Sequence, residues 1–100
     1  MAKQLGATHV VAERAEPGAD LAREILDGIG ADCVLECVGT EESMEQAFNV
    51  ARDGGLVGYV GVPHDVELPI RRMFGSNISV HGGVGQVRVY LPELLDDVWA

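Results

Sequence analysis

The chain has 100 residues, 47% of them apolar and 23% charged, and its 16 acidic against 7 basic side chains leave a net charge of −9. That length allows one small domain or part of a larger one, and the apolar fraction fits a globular chain. The acidic balance argues against a nucleic-acid backbone or an anionic membrane face as partner. No run approaches the roughly 18 consecutive apolar residues of a membrane span, and five aromatics are too few for a base-stacking platform.

In chain order, residues 1–7 predict the last turn of a helix closed by Gly6, since glycine supplies the left-handed conformation of a C-cap. Residues 8–11 form a short β-favouring run. Pro17 and Gly18 then predict a break. Leu21, Ala22, Ile25, Leu26 and Ile29 share one helical face. Asp20, Arg23, Glu24 and Asp27 take the other, and Gly28 and Gly30 end the helix. The mostly apolar run 33–38, interrupted by Glu36, has the pattern of a strand covered on both faces, as in a parallel sheet.

Thr40 is a natural N-cap, with Glu41 and Glu42 in the first turn where the helix dipole favours them. Met44, Ala47, Phe48 and Ala51 repeat at helical spacing until Asp53, Gly54 and Gly55 stop the helix. Residues 56–62 predict a third strand. Residues 63–77 read as a loop with one helical turn near 70–74, and residues 78–81 as a fourth strand. A final helix carries Val87, Leu91, Leu94, Leu95 and Val98 on one face, and Pro92 fits it only in the first turn. This alternation is that of an α/β parallel sheet with right-handed crossovers.

Little of the polar inventory points to chemistry. Cys33 and Cys37 make no disulfide framework and supply too few ligands for a structural zinc site. Their even spacing places them on one strand face, where they read as two small buried apolar residues, with a redox or metal role as the alternative. His9, His64 and His81 lack metal-pair spacing, and His81 reads as a surface or edge residue. Gly28 and Gly30 follow a helix and precede a strand, the wrong order for a phosphate loop. Asn77 to Ser79 matches a glycosylation sequon that has no secretory signal before it. Met1 to Gln4 leads into no apolar core of signal-peptide length, so a cytoplasmic location is expected. Glu36 is the exception. A carboxylate inside an apolar strand is costly unless paired or solvated, so it either accepts hydrogen bonds at the sheet's end or lines a ligand cleft.

Three strands finish in glycine-bearing turns: Cys37, Val38 and Gly39; Val60, Gly61 and Val62; and His81, Gly82, Gly83 and Val84. Ligands of open parallel sheets sit outside the carboxyl ends of the strands. Glycine there lets backbone approach a flat ligand closely, so that C=O and N–H groups could meet an amide-bearing ring.

Those turns, with the segments 5–8, 30–39 and 54–62, resemble the zinc-dependent alcohol dehydrogenase family, the medium-chain dehydrogenase/reductase group. The resemblance runs along essentially the whole chain. It implies that residues 1–100 are an incomplete NAD(P)-binding Rossmann domain, a partial doubly wound parallel sheet. The family order is 3-2-1-4-5-6, and this chain would hold strands three to six. It further implies a nicotinamide dinucleotide, NAD or NADP, against Cys37, Val38, Gly39, Val60, Gly61, Val62, Gly82, Gly83 and Val84, and a homodimer through the edge of residues 78–81. The family's Gly-x-Gly-x-x-Gly turn is absent, as are the zinc-bearing catalytic domain and its proton relay. No residue here is expected to be catalytic or to hold a metal, and the chain alone is expected to be inactive. In the family order strand three lies about 14 Å, three strand spacings, from strand four. Residues 8–11 are therefore expected to slide in beside 33–38. The alternatives are a non-catalytic α/β interaction module or part of another doubly wound enzyme, such as a methyltransferase, with Glu36 meeting a ribose.

Overall fold

The computed structural model describes residues 1–100. A 3₁₀ turn at Ala2–Leu5 is followed by α1 (Ala15–Ile25), β1 (Ala31–Glu36), α2 (Glu41–Val50), β2 (Ala51–Tyr59), α3 (Ile70–Ser76), β3 (Ser79–Gly82) and α4 (Val87–Trp99). The strands form one parallel sheet in the order β1-β2-β3. The α/β parallel architecture expected from the alternation is present, with three strands in place of four.

The missing strand is the run at residues 8–11. It makes no backbone hydrogen bond and does not join the sheet beside β1. A four-residue strand brings only a few ladder bonds, each worth about 1 kcal/mol net. Fixing its backbone costs roughly 1–2 kcal/mol per residue. Local rearrangement therefore does not close the gap, and β1 is an outer strand.

Helix α1 starts earlier than the proline suggests. Pro17 occupies its first turn, where no N–H bond is lost. Gly18 is buried at the contact with α2: a Cβ there would lie 2.7 Å from Gln46 Nε2 and overlap the Glu13 carbonyl oxygen. Arg23, on the face read as polar, instead donates to four carbonyl oxygens. Asn49 (3.0 Å) and Ala51 (3.3 Å) lie where α2 passes into β2, and Gly28 (3.2 Å) and Ile29 (3.1 Å) lie in the turn after α1.

Helix α2 follows its sequence signals closely. Thr40 caps it by accepting from the Ser43 N–H at 3.1 Å. Met44, Ala47 and Phe48 face inward and join Ala51, Val57 and Ile78 in the core, with Val34, Tyr59, Met73 and Val80 packed around them. The register shifts between Ala31, opposite Ala51, and Cys33, opposite Leu56. Residues 52–55 thus bulge out of the ladder at the start of β2, and 53–55, expected to end a helix, lie inside a strand.

Two further expectations are overturned. Strand β1 is not covered on both faces: Leu35 is 74% exposed, and Cys33 and Cys37 are exposed free thiols. The reason is its outer position, with no strand or helix over that side. Pro92 lies in the interior of α4, not its first turn. It deprives the Arg88 carbonyl of its i+4 donor, which is tolerable because no residue of α4 is buried and water reaches that carbonyl. The apolar stripe of α4 is consequently bare.

Candidate functional site

The parallel register sets the three strand ends at one level. Glu36 stands opposite Tyr59, and Tyr59 opposite Gly82. The turns that follow leave from the same edge of the sheet and are stitched to it. Val60 and Gly61 donate to the Glu36 carbonyl at 2.9 and 3.3 Å, Gly83 donates to Tyr59 O at 3.4 Å, and His64 donates to Gly39 O at 3.4 Å. Residues 39, 61 and 83 therefore share one pole of the molecule.

The first two turns touch through their backbones. Gly39 is buried with φ +91°, and a Cβ on it would overlap the Val62 carbonyl oxygen. Gly61 is buried too, and a Cβ on it would overlap the Gly39 nitrogen and lie 2.7 Å from Glu36 Oε2. Only hydrogen fits at either position, so the glycines are required by the close approach of two strand tips.

Above this seam, residues 59–63 and 83–85 enclose a cleft of about 400 Å³. It contains Val60, Gly61, Val62, Gly83 and Val84, five of the nine residues expected to meet a cofactor. Gly82 is not among its lining residues; it lies against the Tyr59 ring, which a Cβ there would overlap. Gly39 belongs to the backbone seam. Cys37 and Val38 line a neighbouring hollow of about 290 Å³ with Val34, Ser43 and Gln46. The cleft walls are exposed valines and glycine backbone, a surface for a flat, weakly polar group. His81 stays outside it, exposed on the edge strand.

Glu36 takes the first of its two readings. Its side chain is 2% exposed, and Oε1 accepts three hydrogen bonds of 2.7 Å, from the N–H groups of Val38 and Gly39 and from the Ser43 hydroxyl. Oε2 is buried without a partner. Burial works to raise the pKa of this carboxyl. The bonds from Gly39, Ser43 and Val38 outweigh it and hold the group below the ordinary glutamate range. Ser43 was not singled out by motif. Its signal is positional, three residues past the Thr40 cap and seven past Glu36.

A larger polar hollow of about 460 Å³ lies beside Asp20, Arg23, Glu45, Asn49 and Arg72. Its two arginines are already engaged with carbonyl and amide oxygens, and it receives no strand tip. No three His, Cys, Asp or Glu side chains gather to hold a metal ion, so the residues present do not fit a zinc site.

Residues 1–99 match the family model described as zinc-binding dehydrogenase. The chain belongs to that family. A probable zinc-binding alcohol dehydrogenase of Mycobacterium tuberculosis is 35% identical over 82 residues, 79% of this chain and 21% of that protein. Zinc-type alcohol dehydrogenase B of Aspergillus flavus is 31% identical over 99 residues, 96% of this chain and 23% of that protein. Among solved structures, zinc-dependent alcohol dehydrogenase 2 of Streptococcus pneumonia superposes with a TM-score of 0.82 at 28% identity, over 95% of this chain and 28% of that one. The chain thus spans about a quarter of the length of the family members it matches. Its partial parallel sheet is the Rossmann-like fold of these dehydrogenases.

Proposed function

We propose that this chain is the C-terminal part of a nicotinamide-cofactor domain and forms the nicotinamide-side wall of an oxidoreductase. The observation that carries the reading is the meeting of Gly39, Gly61 and Gly83 at one sheet edge, under a cleft walled by Val60, Val62 and Val84. A solved relative superposing at a TM-score of 0.82 is described as an NAD-dependent alcohol dehydrogenase, which supports the same cofactor here.

The residues fit one half of a dinucleotide. Glycine backbone lets a planar ring lie close, and valine side chains exclude water from its faces. Cys37 and Val38 flank the seam from the α2 side. No Gly-x-Gly-x-x-Gly turn is present to hold the pyrophosphate. When bound, the nicotinamide carries the hydride to or from an alcohol or carbonyl carbon. This chain's share is binding, orientation and exclusion of water, with no catalytic side chain or metal of its own. We further place it in the cytoplasm, in keeping with two free thiols, and as a homodimer through the open outer edge of β3.

Titration with NADH, followed by cofactor fluorescence, tests the reading. Saturable binding that is lost in Gly61→Val supports it. No binding to the folded chain discards it in favour of a non-catalytic α/β interaction module. Light scattering tests the edge: a dimer is expected, and a monomer at high concentration removes that part.

A further inference from the structure

The seam between Gly39 and Gly61 has one polar side chain at its centre. Glu36 ends β1, and its Oε1 gathers the N–H groups of Val38 and Gly39 and the hydroxyl of Ser43, each at 2.7 Å. The first two are the turn itself, and the third is the first turn of α2. On the other side, Oε2 lies in the space a Gly61 side chain would need, 2.7 Å from its Cβ position. The Glu36 main-chain carbonyl also accepts from Val60 and Gly61. One residue therefore holds the β1–α2 turn with its carboxylate and the β2 tip with its carbonyl.

This arrangement is not required for the helix. Thr40 already caps α2 through the Ser43 N–H. Nor is Glu36 a member of the apolar core, which Met44, Ala47, Phe48, Ala51, Val57 and Ile78 form. A buried carboxylate with an unpartnered oxygen is a costly choice where an apolar side chain would pack. What it supplies is directional: two successive N–H groups of a turn are aimed at one point, which fixes the peptide planes of residues 37–39.

We propose that Glu36 is the positioning residue of the strand-tip shelf, setting the spacing and tilt of Gly39 against Gly61 on which the flat ring rests. This deepens the cofactor reading and rests on it. Glu36 touches no ligand. It acts through the turn it organises, and Ser43 orients it.

The test uses the ¹⁵N-labelled 100-residue chain and its Glu36→Gln, Ser43→Ala and Ser43→Thr variants, with NADH as probe. In Glu36→Gln, NADH binding weakens about tenfold, the loss of charge-assisted bonds. The Val38 and Gly39 amides exchange faster and lose their downfield shifts, while the Val57 amide keeps its protection. Ser43→Ala weakens binding about threefold, and Ser43→Thr, which keeps the hydroxyl, restores it. The serine pair answers the question should Glu36→Gln not fold. Unchanged NADH affinity and unchanged Gly39 exchange in Glu36→Gln overturn the role of Glu36 and leave the cofactor reading intact. If the parent chain binds no NADH, the cofactor reading falls and the shelf role of Glu36 falls with it. Faster Gly39 exchange would then show a turn clamp alone.

Discussion

The strand tips and the outer side of the sheet are built to opposite standards. At the tips, two glycines approach until no Cβ fits, and a buried carboxylate accepts three short hydrogen bonds. Away from the tips, Leu35 of β1 and the apolar stripe of α4 stand in water, and both thiols are free. Monomeric domains rarely leave such apolar surface uncovered. Close packing survives here where contacts come from neighbouring segments of the chain: β1 with the turn after it, α2 with the strands on either side. It is absent where no other element of the chain packs, over Leu35 and along α4.

The contrast can be broken at several points. Phe48→Ala has the largest expected effect. Phe48 is the biggest side chain of a six-residue core, and its loss costs about 3–5 kcal/mol. Urea unfolding should show little or no folded population in that variant. Gly39→Ala comes next, because the added methyl meets the Val62 carbonyl and φ is +91°. A loss of about 1–3 kcal/mol is expected, with the change in amide shifts confined to the two tips.

Acid sharpens the same comparison. Glu36 has a folded-state pKa below the ordinary 4.5, held down against burial by Gly39, Ser43 and Val38. Its contribution is complete above that ordinary value, and it is lost as pH falls through the lower folded value. Stability measured from pH 6 downward should therefore drop below about 4.5 more steeply in the parent than in Glu36→Gln. Equal slopes would show that the carboxylate does not couple to folding.

The smallest effects belong to the outer surface. Leu35→Ser and Val98→Ser should change stability by no more than about 0.5 kcal/mol, and each should lower binding of an apolar dye. Asp32→Asn removes the exposed Arg52–Asp32 ion pair, 2.6 Å long, at a cost of roughly 0–1 kcal/mol. A large loss in any of the three would mean that the outer side is covered in solution.

The start and inner face of α2 were legible, because its cap, its dipole-matched glutamates and its apolar spacing all act within one or two turns, whereas its end was placed too late: Ala51 already belongs to β2. The glycine-ended turns were legible as a set, since each follows an apolar run of strand length. The strand at residues 8–11 was misread for the converse reason: β propensity describes a segment, while a strand exists only with a partner. Cys33 and Cys37 were misplaced by the same step, their apolar surroundings in sequence taken for burial in space. Arg23 was assigned to the polar face correctly as to position and incorrectly as to environment, because two of the four carbonyls it meets, those of Asn49 and Ala51, come from a segment distant in sequence.

Local interactions were enough to write the alternation of helices and strands, the capping of α2 and the need for glycine after each strand into the order of residues. The parallel register of β1, β2 and β3 did the rest. It brought residues 36, 59 and 82 level, pressed Gly39 against Gly61, and settled Glu36 as an acceptor for its own turn. It also left α4 and β1 bare. Those outcomes depend on which segments lie side by side, and hydrogen-bond ladders and packing between distant segments are chosen by the free energy of the whole chain, not by any window of it.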